Sequence, residues 1–182
     1  TLASNPYVID RPLSDQDLFR GRDELFSRLG SLLRSGSRLF ILCGRPRVGK
    51  TSFLNQLPDR LTERFVVRRF DWTGSGLADM APLDAIIRGA SQALGQEVSV
   101  SLSPEGVTVD EATRLLRSLS GATGGSVHLV AFDGIVATEL ASQPQWGEAL
   151  AALRSGLAPD GSVAILLVVE GAPAAKSATS ER

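Results

Sequence analysis

The chain has little of what marks exported or membrane proteins. It carries one cysteine, Cys43, among 182 residues. A lone thiol cannot build a disulfide framework, so a reducing, cytoplasmic compartment is expected. No stretch approaches the roughly 20 apolar residues of a membrane helix. The longest apolar run, Val163 to Val169, has the length of a strand. No signal-peptide pattern is present. The sequence opens on Thr1 rather than Met, as a piece of a longer protein would.

Charge of one sign is also missing. There are 19 basic and 20 acidic residues, a formal net charge of −1. Bulk attraction to nucleic acid or an anionic membrane is therefore not expected. His128 is the only histidine, and no cysteine or acid cluster of metal spacing surrounds it, so it reads as structural. Trp72 and Trp146 read as packing residues rather than base-stacking platforms. Cys43 reads as a packed thiol.

What is present is ordinary for a globular chain: 43% apolar and 21% charged residues. The length suits one domain with a real core. The expected organisation is an extended lead-in over 1–21, a nucleotide-binding domain over 22–170 and a flexible tail over 171–182. Leu25, Phe26, Leu29, Leu32 and Leu33 fall at helical spacing and predict a first helix from about Arg22 to Arg34. Arg38 to Cys43 predicts a strand. A helix follows from Lys50, and Pro58 is expected to bend or stop it. Phe65 to Phe70 predicts a second strand. Leu83, Ile86, Ile87, Ala90 and Leu94 give a helix with Pro82 near its first turn. Gly95 to Gly106 reads as loop. Thr108 and Glu111 fit a capping box for a helix with Ala112, Leu115, Leu116 and Leu119 on its apolar face. Val127 to Asp133 predicts a third strand, Gln145 to Leu157 a helix, and Val163 to Val169 a fourth strand.

The strands are continuous apolar runs with helices between them. That pattern predicts an α/β fold, a parallel sheet covered by helices on both faces. Ligands of such sheets bind at the carboxyl ends of the strands.

Directly after the first strand stands CGRPRVGKTSF, residues 43 to 53. Gly44, four residues, then Gly49-Lys50-Thr51 form the G-x-x-x-x-G-K-[ST] pattern of a phosphate-binding loop. The glycines let successive N–H groups turn inward, and the following helix adds its N-terminal partial charge. Lys50 would reach the β- and γ-phosphates, and Thr51 would offer its hydroxyl to magnesium. Arg45, Pro46, Arg47, Val48 and Ser52 complete the cofactor-binding set. Arg45 or Arg47 is placed to meet a phosphate or a neighbouring subunit's nucleotide. The bland alternative is a chance glycine-rich turn, which the flanking strand and helix disfavour.

A magnesium-directing acid should end a later apolar strand, and Asp133 fits. Its competing reading is a turn aspartate. Many phosphate-loop ATPases place a glutamate next, but position 134 is glycine. Glu170, Asp71 and Glu139 are the candidate substitutes, with Glu170 at the end of strand four. Arg68 reads as facing solvent and Arg69 as facing the core margin, in preference to the alternative that they bind a partner. Leu119-Ser120-Gly121-Ala122 lies too close to Asp133 for a transporter signature helix and reads as a helix-ending loop. A GTPase is disfavoured, because Val136 stands where D-x-x-G needs glycine and N-K-x-D is absent.

Three segments together, NPYVIDRPLSDQDLFRGRDELFSRL, ILCGRPRVGKTSFLNQL and VHLVAFDG, resemble the STAND class of signal-transduction ATPases, relatives of the AAA+ and origin-recognition ATPases. An F-x-G-R-x-x-E-L element precedes the phosphate loop in that group; the similar stretch here is Phe19-Arg20-Gly21-Arg22-Asp23-Glu24-Leu25, with one residue rather than two between Arg22 and Glu24. The resemblance implies a phosphate-loop three-layer sandwich with strand four between strands one and three. It implies that Gly21 and Arg22 line the adenine side of the pocket. It implies ATP/ADP and Mg2+ as ligands and a switch that controls oligomerisation with a protein partner or a second copy. Two departures are visible. Gly134 replaces the usual acid, which implies slow hydrolysis, and the fifth strand and lid of that class are not in the sequence. A non-catalytic interaction module and a DNA-linked origin-recognition ATPase are the competing expectations. Nothing here reads bases.

Overall fold

A computed structural model describes residues 22–61, 64–96, 107–121 and 125–171. The lead-in, including Gly21, most of the Gly95 to Gly106 loop, Ala122 and all of the tail beyond Gly171 lie outside the described residues. In chain order the elements are α1 (Asp23–Arg34), β1 (Leu39–Gly44), α2 (Lys50–Arg60), β2 (Phe65–Asp71), α3 (Pro82–Leu94), α4 (Val109–Gly121), β3 (Val127–Val136), α5 (Ala137–Ser142), α6 (Gln145–Gly156) and β4 (Val163–Glu170). The four strands form one sheet in the order β1-β4-β3-β2, and every pairing is parallel. Strand β4 thus lies between β1 and β3.

Local chemistry explains the helix limits. Asp23 and Glu24 open α1 and Arg34 closes it, each matching the helix dipole. Pro82 takes the first position of α3, where its missing N–H costs nothing. Thr108 Oγ1 accepts the Glu111 amide at 3.3 Å, as an N-terminal cap does. Pro58 neither stops α2 at once nor ends its ladder; the Leu61 amide still reaches the Leu57 carbonyl at 2.9 Å.

The sheet separates two apolar layers. On one side α1 and α2 bring Phe26, Leu29, Leu33, Phe53 and Leu57 onto Leu129, Ala131, Leu166 and Val168. On the other α3, α4 and α6 bring Ile86, Ile87, Leu116, Leu119 and Leu153 onto Val130, Phe132, Ile165 and Leu167. The period of two along β3 and β4 decides which residue joins which layer. Trp72 and Trp146 are buried in the second layer with ring centroids 5.9 Å apart, so they pack as expected.

Several expectations are corrected. Strand β3 does not end at Asp133 but continues to Val136. Its register against β4 shifts between Asp133 and Ile135, so Gly134 is the extra residue of a bulge. The bulge returns Ile135 to the α3 side, where it is fully buried. It also leads into α5, which the sequence reading lacked. Leu32 is exposed, because Phe26, Leu29 and Leu33 already fill the face of α1. Cys43 is exposed rather than packed, because β1 is an edge strand. Leu119 to Gly121 belong to α4 rather than to a loop after it. No described helix is long and apolar enough to cross a membrane.

Candidate functional site

The loop between β1 and α2 sits at the carboxyl end of the sheet. Two residues in it hold left-handed backbone: Gly49 at φ 82°, where glycine has no steric cost, and Arg47 at φ 60°. The loop closes tightly on Gly44, where an added Cβ would come within 2.9 Å of Val48 Cγ2. Arg22, just ahead of α1, donates to the Val48 carbonyl. It therefore braces the loop. Arg45, Pro46, Arg47 and Val48 are exposed, while Ser52 is buried in the first turn of α2.

Lys50 is only 7% exposed and is folded back into the loop. Its Nζ donates to the Gly44 carbonyl at 2.9 Å and the Arg45 carbonyl at 2.8 Å. The ammonium is thereby held inside the curve of the loop, at the start of a helix whose first turn has no acid. Those two carbonyls satisfy the ammonium within the loop.

Thr51 and Asp133 are 82 positions apart in sequence, yet Thr51 Oγ1 donates to Asp133 Oδ2 at 3.1 Å. The first turn of α2 lies over the end of β3, and Asp133 points to the α2 side of the sheet because Ala131 and Leu129 do. Two hard oxygens so placed fit a magnesium ion that draws its remaining ligands from phosphate and water. Among the described residues no group of three or more His, Cys, Asp or Glu could hold a metal unaided. The pair thus needs ligands from outside the described side chains of that kind to complete an ion's shell.

A residue that the sequence reading set at the core margin joins this pair. Arg69, on β2, donates through Nη2 to the same Asp133 Oδ2 at 2.7 Å and through Nη1 to Asn55 Oδ1 at 3.2 Å. Asn55 lies one helical turn after Thr51, so both face the sheet. The register sets Arg69 beside Ala131 and Asp71 beside Asp133. Alternation then puts Arg69 on the face that Asp133 shares. The signal that could have found it is an arginine two residues before the end of a strand paired to the strand of Asp133.

The three candidate substitute acids are dispersed. Asp71 Oδ1 accepts the Thr73 amide at 3.0 Å in a local turn. Glu139 Oε2 accepts the Trp72 indole N–H at 3.3 Å, which ties it to the α3 layer. Glu170 is exposed at the end of β4, in register with Gly44 on one side and Val136 on the other. None of the three has Asp133 or Thr51 as a hydrogen-bond partner.

Gly134 has a structural reason to be glycine. Its φ is 96°, and an added Cβ would lie 2.3 Å from Thr73 Oγ1. A glutamate in this bulge would be strained and would collide with the β2 end. No protein-family model matches the chain, and no curated protein matches it.

Proposed function

We propose that this chain is an ATP/ADP-binding domain that acts as a nucleotide-dependent switch in a signalling or regulatory assembly, with slow or partner-dependent hydrolysis. The observation that carries this most is the Thr51–Asp133 hydrogen bond beside Lys50. A chance glycine turn has no need of an acid from the third strand at its helix start.

Each part of the site has one task. The amides of the loop and the start of α2 attract phosphate oxygens. Lys50 exchanges its two loop carbonyls for phosphate oxygens, which return a stronger, charge-assisted bond. Thr51 and Asp133 would hold a magnesium ion with the nucleotide, and that ion would neutralise phosphate charge. Arg22 keeps the loop in place from the α1 side. A water-activating base is the missing part. Gly134 cannot be an acid in this backbone, and Asp71 and Glu139 are engaged elsewhere. Slow turnover follows, with Glu170 or a partner's residue as the remaining sources of a base.

The Gly134 bulge also favours a second reading, a non-catalytic interaction module in which nucleotide is a structural ligand. The experiment that separates them is binding of Mg-ATP and ADP followed by single-turnover hydrolysis, with Lys50→Ala alongside. Binding lost in Lys50→Ala, with hydrolysis above that control, supports a slow ATPase switch. Binding without hydrolysis excludes a slow ATPase that works alone and leaves partner-dependent hydrolysis or the second reading. No binding to the native chain defeats both.

A further inference from the structure

We propose that Arg69 is a latch on the cation site: its guanidinium holds the Asp133 oxygen that a magnesium ion must take, so divalent metal enters only by displacing Arg69. This rests on the nucleotide-site reading and deepens it.

The geometry is specific. Asp133 Oδ2 is contacted by the Thr51 hydroxyl at 3.1 Å and by Arg69 Nη2 at 2.7 Å. The same oxygen is therefore the point where the site's cation and the arginine compete. The Asp133 side chain is 10% exposed and that of Arg69 is 44% exposed. Solvent thus reaches the arginine far more than its partner, and Arg69 has a path outward that Asp133 lacks. The contact is charge-assisted and short, the stronger kind of hydrogen bond. Asn55 takes the other arm of the fork at 3.2 Å and so fixes the guanidinium plane. A monovalent cation already compensates the carboxylate. A divalent ion arriving beside it meets like charge as well as an occupied oxygen.

Two consequences follow. Nucleotide should bind with little help from magnesium, because much of the metal's contribution is spent in displacing Arg69. Removing the arginine should restore the ordinary magnesium dependence. The site would thus sense nucleotide through Lys50 and the loop, and metal only secondarily.

The test is equilibrium binding of ADP to the full chain in excess magnesium and in EDTA, for the native protein, Arg69→Gln and Arg69→Lys. Manganese binding in the presence of ADP, read by electron paramagnetic resonance, is the independent measurement. The native chain is expected to show a magnesium effect of about threefold or less. Arg69→Gln should show about tenfold or more, with tighter manganese binding, and Arg69→Lys should fall between them. Asn55→Ala, which frees one arm of the fork, should move in the same direction by less, and it decides the matter if Arg69→Gln does not fold. Equal magnesium effects in the native chain and Arg69→Gln overturn the latch alone. Loss of ADP binding by Arg69→Gln in both conditions also overturns it and makes Arg69 a phosphate ligand. Failure of the native chain to bind ADP in either condition overturns the nucleotide reading and the latch with it.

Discussion

Gly134, in the bulge of β3, meets Thr73, just past the end of β2: a Cβ on the glycine would stand 2.3 Å from the threonine hydroxyl oxygen. The position that the sequence pattern would assign to a catalytic acid is thus occupied by the hinge of a bulge. Putting the acid back should fail. Gly134→Glu is expected to destabilise the fold by about 1–3 kcal/mol, from left-handed backbone strain and the Thr73 clash. It should not raise single-turnover hydrolysis. Urea midpoints and a hydrolysis assay check both parts. A variant as stable as the native chain would show that the bulge relaxes.

A second glycine should break the usual helix rule. Glycine to alanine inside a helix ordinarily stabilises by about 0.5–1 kcal/mol. Gly89 lies in α3, and an alanine Cβ there would come within 2.4 Å of Phe132 Cε1 on β3. Gly89→Ala should therefore destabilise, by about 1–3 kcal/mol, because helix and sheet must move apart. A rise in thermal midpoint would contradict this packing.

Arg38 is a buried bracket between α1 and the turn that leads into β4. Its Nη1 donates to the Leu33 carbonyl at 2.8 Å, and its Nε donates to the Gly161 carbonyl at 2.8 Å. Burial, and secondarily Arg64, holds its pKa below the ordinary value, against the pull of Asp160. Arg38→Met keeps the stem and removes the donors. It should cost about 1–3 kcal/mol, since one buried and one part-buried carbonyl lose a charged partner. Chemical denaturation measures this directly, and nucleotide affinity should be unaffected in the folded fraction.

His128 gives the fold a pH slope of defined sign. Burial, and then the charge of Arg68, depresses its pKa below the ordinary 6.5. Its Nδ1 is buried without a hydrogen-bond partner. The unfolded chain then takes up the proton more readily than the folded one, so stability rises with pH through the window just below 6.5 and levels off above it. His128→Asn should flatten that rise. Denaturation midpoints at a series of pH values, native against variant, test it; parallel curves would remove the histidine from the account.

The loop and its acid were legible because each is a fixed spacing beside an apolar run. Gly44, Gly49, Lys50 and Thr51 announce themselves within eight positions. Asp133 closes a stretch that can only be a strand. Arg69 was not legible, since it matters only through the β2–β3 register, and Arg68 next to it is the same residue type. The Gly134 bulge was hidden for a related reason. A strand that ends at an acid and one that bulges past it share the same letters. Only the burial of Ile135 on the α3 side distinguishes them. Cys43 was misread because edge position depends on strand order, which no local pattern encodes.

The place of β1 in the sheet has a consequence for motion. It carries the loop, yet among the described strands it is bonded only to β4, and Ile41 on it is 48% exposed. Strands β3 and β4 are held on both sides. Amide deuteration should therefore reach the two outer strands, β1 with its loop and β2, before the two central strands. The loop that holds Lys50 thus hangs from a strand that opens readily, while the strand bearing Asp133 stays fixed as the reference against which the loop moves.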